Sequence, residues 1–244
     1  MGGAHLVTDK DSCYAEPMKL IFVSISLALL LPIAGCKSRP RPASGSASGG
    51  SADAAFNSSP LVAASASGFD FYLLNLSWSP EFCHGHPNAS ECAAQATFVL
   101  HGLWPQNTDG SYPEGCSAAP GPADPSQFKD IYPDLNLLGH EWRAHGTCSG
   151  LSADAFFQTA RSAVRAVNIP PTLSALTSQI SLPPDRIIGL FTASNPGIPS
   201  SSFVVSCGHN YLTAVEVCLD KGLHPISCAG IRSCRANIVR IPPP

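Results

Sequence analysis

The distribution of apolar and polar positions separates strand-like from helix-like segments in the part of the chain that follows residue 68. Two segments, "FDFYLLNLSW" and "ATFVLHGLW", are short and rich in aromatic and branched apolar residues, which predicts two largely buried strands. Three segments near the C-terminus, "SSFVVSC", "YLTAVEVCLD" and "RANIVRIP", predict further strands, with "DKG" and "HPISCAG" as turns. The strands therefore fall into an early pair and a late group.

Between these groups, three segments have the patterns typical of helices. The segment "DPSQFKDIYPDL" predicts a short helix broken at Pro133, and "NLLGHEWRAHGTC" predicts a second helix that Gly146 ends. The segment "SADAFFQTARSAVRAVNI" predicts a third, with Ser152 as its N-cap. Its apolar face contains Phe156, Phe157, Ala160, Val164 and Val167. This order, without an internal repeat, predicts one α+β domain in which a central antiparallel β-sheet has helices packed on one side.

The N-terminal segment predicts export. From Met18 the chain runs "MKLIFVSISLALLLPIAGC", in which a lysine, an apolar run and small residues precede Cys36. Such a segment is typical of a secretory signal peptide, and its apolar run is too short to span a membrane. We therefore predict a signal peptide over residues 1–36, with Met18 as a candidate translation start. Its last four residues resemble a bacterial lipobox, which predicts a lipid on Cys36; ordinary cleavage nearby is the alternative.

Residues 37–68 consist mainly of Ser, Ala, Gly and Pro. A segment of this composition buries too little apolar surface to offset the entropy lost on ordering, which predicts a flexible tether. A lipid on Cys36 followed by this tether would hold the domain of residues 69–244 near a membrane surface. We therefore expect an exported lipoprotein, periplasmic or at the cell surface, that contacts the membrane through its lipid anchor.

The cysteines add covalent constraints to this domain. Ten of the 244 residues are cysteine, and none has the C-x-x-C spacing of metal sites, so disulfides in an oxidising compartment are predicted. Leaving out Cys13 and Cys36, eight remain, which allow 105 pairings. Their positions favour a local pair, a pair that brackets the two motifs described next, and, if the last strands fold back like a hairpin, two nested pairs. These are Cys83–Cys92, Cys116–Cys148, and Cys218–Cys228 inside Cys207–Cys234.

Two segments carry histidines where chemistry is expected: "FVLHGLWPQNTDGSY" with His101, and "GHEWRAHGTC" with His140 and His145. Histidines and a glutamate without a serine nucleophile motif fit phosphodiester transfer within RNA. That reaction needs a base for the 2′-hydroxyl, an acid for the leaving 5′-oxygen and donors to the phosphoryl oxygens. An imidazole pKa of about 6.5 suits both proton roles. Trp104 could stack on a splayed base or pack in the core.

A metal site is the competing interpretation, because "HEWRAH" superficially resembles the zinc-binding helix motif H-E-x-x-H. Residues five apart in a regular helix lie about 140° apart, so His140 and His145 are not expected to face one ion. The segment "CHGH" offers ligands by composition, but a disulfide from Cys83 is favoured. We therefore predict no metal and no cofactor. A disulfide-stapled cell-surface module that binds metal through its histidines stays open as an alternative.

The two segments resemble the two catalytic segments of the ribonuclease T2 family, acid endoribonucleases of secretory and periplasmic compartments. "HGLWP" is followed by "HEWRAHGTC" in the family's order, and "YLLNLSWSPEFC" and the cysteine framework are also similar. The resemblance extends from about residue 69 to the C-terminus and implies a bacterial, periplasmic member. It implies metal-independent cleavage of single-stranded RNA to 2′,3′-cyclic phosphate ends, without cleavage of DNA. We expect a monomer.

The resemblance also implies a role for each matching catalytic residue. His101 corresponds to the general acid that protonates the leaving oxygen, and His145 to the general base for the 2′-hydroxyl. His140 corresponds to a phosphate-binding histidine. Glu141 corresponds to the acidic residue that supports the transition state, and its alternative role is a hydrogen-bond partner that orients a neighbour.

Three further residues correspond to positions that bind the substrate. Trp104 and Tyr112 match aromatic base-binding residues. Gln106 stands where some fungal relatives have an acidic residue that reads adenine, so the base preference is expected to be relaxed or shifted. Trp142, between the catalytic helix residues, is expected to be buried.

Besides Gln106, one departure from the family pattern argues for weaker catalysis. Many family members have a lysine directly before the second-segment histidine, and here that residue is Ala144. Arg143 lies about 100° around the helix and is expected to be solvated, so transition-state stabilisation is reduced. The net charge of −3 is unusual for a nucleic-acid binder, although a cleft needs only local positive charge. A catalytically weak or inactive RNA-binding or stress protein on the same scaffold is therefore the alternative function.

Overall fold

The computed structural model describes residues 68–94 and 96–244. The predicted signal peptide, the predicted lipid site at Cys36 and all but the last residue of the predicted tether lie outside these ranges. Within them, no helix is both long enough and apolar enough to cross a membrane.

Six strands in the described part of the chain form one β-sheet. They are β1 (Phe71–Trp78), β2 (Phe98–Gln106), β3 (Ile180–Leu182), β4 (Phe203–Gly208), β5 (Tyr211–Leu219) and β6 (Val239–Ile241). The order across the sheet is β2-β1-β5-β6-β3, and β4 pairs with β5. The pairs are antiparallel, as predicted, except that β6 meets β5 in parallel at Tyr211 and Arg240. The long connection over residues 220–238 permits this parallel return.

β1 lies between β2 and β5, and its side chains alternate between two covered faces. On one face, Tyr72, Leu74 and Leu76 join the main core. On the other face, Phe71 and Leu73 pack against residues of the C-terminal segment. The polar residues of β1 also point to this second face, where the candidate site lies.

Five helices accompany the sheet in the described residues. They are α1 (Ser79–Gly85), α2 (Leu135–Ala144), α3 (Ala153–Arg165), α4 (Pro171–Ser174) and α5 (Pro184–Ser194). The Ser152 side chain accepts a hydrogen bond from the backbone N–H of Ala155, which confirms the predicted cap of α3. Apolar residues of α3 and α5, among them Phe156 and Phe191, pack in the core on one face of the sheet.

Two helix predictions were wrong in detail. The segment around Pro133 forms only a 3₁₀ turn, Pro125–Phe128, capped by Asp124. The helix of the second motif ends at Ala144, before Gly146, because the backbone leaves the helical path at His145. The sequence analysis did not predict α1, α4 and α5, which begin beside prolines, residues that suit the first turn of a helix.

Four disulfides link the described residues: Cys83–Cys92, Cys116–Cys148, Cys207–Cys234 and Cys218–Cys228. These are the four pairs that the positions of the cysteines favoured. The bridge Cys116–Cys148 joins the loop after β2 to the turn after α2. A backbone hydrogen bond from Gly115 to the carbonyl of Ala144 runs beside it. The two motif segments are therefore fastened to each other.

Candidate active site

The first motif histidine lies at an irregularity in the sheet. The pairing of β1 with β2 shifts between Asn75 and Leu76, which leaves His101 without a partner residue on β1. An extra residue of this kind is a β-bulge, which re-aims a side chain. Nδ1 of His101 lies 3.1 Å from the hydroxyl of Ser77, and Nε2 lies 3.7 Å from Oε1 of Glu141. The two ring nitrogens therefore face different surroundings.

The end of α2 supplies the other two histidines. Asp134 caps the start of this helix, and His145 follows its last residue with φ −119° and ψ −45°. The N–H of His145 still donates to the carbonyl of Glu141, but its φ departs from the helical value of about −63°, and its ring centroid lies 6.4 Å from that of His140. The prediction that these histidines point in different directions was wrong, since it assumed a regular helix through position 145.

This geometry also removes the sequence argument against a metal. One ligand atom each from His140, Glu141 and His145 lie within 4.8 Å of one another, so the three residues could hold an ion. Imidazole and carboxylate are both zinc ligands. That the protein works without a metal therefore stays a prediction.

Glu141 is buried beneath the cleft and is bound to Trp104. The indole Nε1 donates to Oε2 of Glu141 at 2.8 Å, while Oε1 has no hydrogen-bond partner among the described residues. The contact passes directly over Gly102, where a Cβ atom would lie 2.2 Å from both Glu141 Oε2 and Trp104 Nε1. Any side chain at position 102 would force these two residues apart.

Trp104 stands between two of the histidines. Its ring centroid is 5.4 Å from that of His101 and 5.2 Å from that of His145. Trp142, by contrast, is buried as predicted and donates its N–H to the carbonyl of Ala119. The two tryptophans near the motifs therefore differ: one lines the cleft and the other packs in the core.

Burial moves the pKa values of the site toward the neutral forms. It lowers the pKa of His145 to about 4, against an opposing effect of Glu114, and His140 and His101 lower it further. Burial and the nearby His140 lower the pKa of His101. Burial raises the pKa of Glu141 to about 7, although the hydrogen bond from Trp104 opposes it. Near neutral pH, His145 is therefore an uncharged imidazole that can accept a proton.

A cavity of about 630 Å³ opens beside His145. Trp104, Gln106 and Tyr112 line it, so the residues predicted to bind a base share one pocket. The Tyr112 ring is exposed, whereas the Gln106 side chain is buried. A second cavity of about 280 Å³ lies on the other side of the cleft, beside His101 and His140. The histidines therefore stand between two pockets.

The second motif has a single arginine, Arg143, which lies on the exposed surface of α2. Ala144 is buried, and Arg143 is exposed with its guanidinium near Gly139, one helical turn earlier. This placement fits the expectation that Arg143 is solvated. Arg232, in the C-terminal segment, lines the larger cavity and brings a positive charge near His145.

Sequence reasoning missed the polar residues that lie under His101. Asn75 and Ser77 of β1 and Glu216 of β5 form hydrogen bonds that lead from the ring to a carboxyl group that also lines the larger cavity. The sequence signal for them was the alternation "LNLS" inside an otherwise apolar strand, together with a glutamate in "TAVEVC". Gly102 was also missed, although it is part of "HGLW".

The cleft places imidazoles on both sides of a buried carboxyl group, on the sheet of a disulfide-bonded α+β domain. Such a site defines an enzyme class that works by proton transfer. Residues 69–228 match the model of the Ribonuclease T2 family, and the chain belongs to this family.

Named relatives agree with the family match. A ribonuclease of Aeromonas hydrophila is 46% identical over 107 residues, which are 43% of this chain and 49% of that protein. The chain thus spans about half the length of that relative. Ribonuclease DdI of Dictyostelium discoideum is 32% identical, over 70% of this chain and 83% of that protein. Together, these relatives support endoribonuclease activity.

The fold agrees as well. The crystal structure of RNase NT in complex with 5′-AMP superposes with a TM-score of 0.57 at 21% identity, covering 72% of this chain and 99% of that one.

Proposed function

We propose that this protein is an exported, metal-independent endoribonuclease that cleaves single-stranded RNA by transphosphorylation. The observation that carries the proposal is the convergence of His101, His140, His145 and Glu141 on one cleft between two pockets. Family membership and relatives that are named ribonucleases support it. RNase NT, whose fold is similar, binds the nucleotide 5′-AMP, which is consistent with an RNA substrate.

The electrostatics of the cleft support the proton-transfer roles that the family resemblance implies. His145, neutral above pH of about 4, removes the proton of the 2′-hydroxyl, and the 2′-oxygen attacks phosphorus. His101 in its protonated form gives a proton from Nε2 to the 5′-oxygen as the P–O5′ bond breaks. The products are a 2′,3′-cyclic phosphate and a 5′-hydroxyl. DNA is not cleaved because it has no 2′-hydroxyl.

His140 and Glu141 are placed to stabilise the phosphoryl oxygens. The raised pKa of Glu141, about 7, keeps its carboxyl group protonated in mild acid, where it can donate a hydrogen bond to an oxygen that gains charge. Its Oε1 atom, which has no partner among the described residues, is the atom available for this contact. His140 supplies a second donor from the same helix.

The larger pocket is the proposed base site. Tyr112 offers an exposed ring for stacking, and the buried amide of Gln106 offers both a donor and an acceptor. Trp104, whose N–H is engaged by Glu141, contributes its ring face. An amide that can both donate and accept predicts relaxed base preference.

We also propose that the domain is exported and anchored through a lipid on Cys36. The four disulfides support an oxidising compartment. A mass measurement of the protein extracted from membranes tests the anchor. The expected product begins at a diacylated Cys36, and an unmodified N-terminus elsewhere contradicts it.

The decisive experiment compares a short labelled RNA with its DNA counterpart in EDTA, using the oxidised protein. We expect cleavage of RNA alone to cyclic phosphate ends, and a loss of roughly 10²–10⁴ fold in each of His101→Ala and His145→Ala. His84→Ala, which removes an exposed histidine of α1, is the matched control. No cleavage by the folded protein between pH 4 and 8 would favour the inactive RNA-binding alternative, to which Ala144 points.

The cluster of His140, Glu141 and His145 favours a second candidate, a metal-binding module. Dialysis against a chelator separates the two functions. The nuclease should keep its activity and thermal stability, whereas a structural metal site should lose stability. Stability that depends on added zinc, without RNA cleavage, would support the module.

A further inference from the structure

A chain of hydrogen bonds runs from Nδ1 of His101 to a buried carboxylate on the other side of β1. The hydroxyl of Ser77 contacts Nδ1 at 3.1 Å and donates to Oδ1 of Asn75 at 3.4 Å. Nδ2 of Asn75 donates to Oε1 of Glu216 at 2.8 Å. Ser206 donates to the other oxygen of Glu216 at 3.2 Å. The chain thus crosses strands β2, β1, β5 and β4.

The register of the sheet builds this chain. Asn75 stands directly opposite Glu216 in the pairing of β1 with β5. Ser77 follows two residues later on the same face of β1, beside the bulge that displaces His101. Asn75 and Glu216 are 5% and 7% exposed, so both are buried in the sheet.

A buried carboxyl group is costly to stability, and apolar residues at both positions would be at least as stable. Burial accordingly raises the pKa of Glu216, against the hydrogen bonds from Ser206 and Asn75. Packing alone does not account for a glutamate at this position. Glu216 lines the larger cavity, and the hydrogen bond that it accepts from Asn75 also links it to His101.

The direction of each hydrogen bond follows from the groups involved. An ionised carboxylate only accepts, so the Nδ2 side of the Asn75 amide must face Glu216 and its Oδ1 side must face Ser77. The single hydroxyl proton of Ser77 then goes to Asn75. The Ser77 oxygen can then only accept a hydrogen bond from His101, so Nδ1 of His101 must carry the proton.

We propose that Glu216, acting through Asn75 and Ser77, is a positioning residue that keeps a proton on Nδ1 of His101. Nε2, which faces Glu141 and the cleft, is thereby reserved for the proton that the reaction transfers. After His101 gives up that proton, the neutral ring is already in the form that Ser77 accepts. The catalytic consequence rests on the proposed ribonuclease function, but the tautomer itself does not.

The test measures the tautomer and the activity separately. Two-bond ¹H–¹⁵N correlation spectra of the disulfide-bonded protein report which nitrogen of neutral His101 carries the proton. We expect the proton on Nδ1 in the wild type, and a mixture of the two tautomers in Ser77→Ala and Asn75→Leu. In both variants kcat should fall about tenfold while KM changes less than about twofold, since substrate contacts are kept.

One further variant tests Glu216 itself, and another serves as a control. In Glu216→Gln the amide can donate as well as accept, so the direction of the Asn75 amide is no longer fixed and a mixture of the two tautomers is expected. Ser206→Ala removes a hydroxyl at the far end of the chain and should leave the tautomer of His101 unchanged. Ser77→Ala keeps the test open if Asn75→Leu does not fold, because it removes only one oxygen atom.

The outcomes separate this proposal from the proposed function. A wild-type His101 protonated on Nε2, or an unchanged tautomer in folded Ser77→Ala, overturns the positioning role even if the protein cleaves RNA. An inactive wild type whose tautomer shifts as expected in Ser77→Ala overturns the ribonuclease function and supports the positioning role.

Discussion

The two ring nitrogens of His101 face regions that differ in how completely their polar atoms are paired. On the Nδ1 side, Ser77, Asn75 and Glu216 all have hydrogen-bond partners. On the Nε2 side, Oε1 of Glu141 and Nδ1 of His145 are buried without a partner among the described residues. Buried polar atoms in folded proteins are normally paired. The residues on the Nδ1 side therefore hold the ring in position. The unpaired atoms on the Nε2 side are available to bind polar atoms of a substrate.

Because its polar groups are unpaired, the Nε2 side of His101 needs other interactions to hold these groups in place. Its polar groups contribute little to stability by themselves, because unpaired buried polar atoms cost free energy. A disulfide and the close contact of Glu141 and Trp104 over Gly102 hold them instead. Variants that remove these interactions test the comparison of the two sides of His101, and they follow from the largest expected effect to the smallest.

The largest effect is expected from the bridge between the motifs. Replacing Cys116 and Cys148 together with alanine should lower the free energy of unfolding by roughly 2–5 kcal/mol, and it should reduce activity because the turn that carries His145 is released. Chemical denaturation and RNA cleavage measure the two effects.

The bridge Cys207–Cys234 provides a matched control for this prediction. It closes a chain separation of 27 residues against 32 for Cys116–Cys148, so loop entropy predicts costs that agree within about 0.2 kcal/mol. Its removal should lower stability to a similar extent while the remaining folded protein keeps its kcat; KM can rise, because Cys234 lies two residues from Arg232, which lines the larger cavity. Equal losses of kcat in the two variants would contradict a specific role for Cys116–Cys148.

The next effect is expected at Gly102. In Gly102→Ala the new methyl group meets Glu141 and Trp104 at 2.2 Å, so the hydrogen bond between them must break or the strand must move. We expect a stability loss of about 1–3 kcal/mol and a loss of kcat of at least about tenfold, measured by thermal unfolding and steady-state cleavage.

Gly189→Ala, in α5, is the corresponding control. A Cβ atom there meets nothing within 4 Å, and alanine favours a helix over glycine by about 1 kcal/mol. This variant should be slightly more stable and fully active. Full activity of Gly102→Ala would mean that the contact between Trp104 and Glu141 is dispensable.

A prediction of intermediate size concerns pH. The base His145 must be neutral, so kcat/KM should rise as pH increases through about 4. The acid His101 must be protonated, so kcat/KM should fall as pH increases through its pKa, which burial lowers below the usual value of about 6.5. The profile should therefore be bell-shaped, with its maximum in acid.

Glu141→Gln identifies which residues set the two limbs of this profile. Glutamine does not ionise, so kcat should decrease while both limbs of the kcat/KM profile stay in place. Disappearance of one limb would assign that limb to Glu141 instead of a histidine. A maximum above pH 7 in the wild type would contradict the assignment of His101 as the acid.

The sequence was sufficient to predict those features of the site that depend on residue type and on the order of neighbouring residues. A histidine on a strand and another on a helix, the apolar run of β1 and the Ser152 cap are local signals, and the structure shows each of them in place. The direction of His145 depended instead on where α2 ends. The sequence places Gly146 as the breaker, but the chain leaves the helix one residue before it.

Long-range pairing lay beyond the sequence pattern for a different reason. Asn75 and Glu216 are 141 positions apart, and they meet only because β1 pairs with β5 in one particular register. A shift of one residue would turn either side chain to the opposite face. The requirement for glycine at position 102 likewise becomes apparent only when α2 brings Glu141 over the strand.

The smallest effect is expected at the arginine of the second motif. Arg143 is exposed and its guanidinium lies near Gly139, so Arg143→Gln should change kcat and KM by less than about twofold. Arg232→Gln is the comparison, because Arg232 lines the cavity beside His145. Its loss should raise KM several fold and make KM less dependent on salt, since a phosphate contact is removed. A tenfold loss of kcat in Arg143→Gln would show that the arginine side chain moves into the cleft. It would then replace the lysine that many family members have at the position of Ala144.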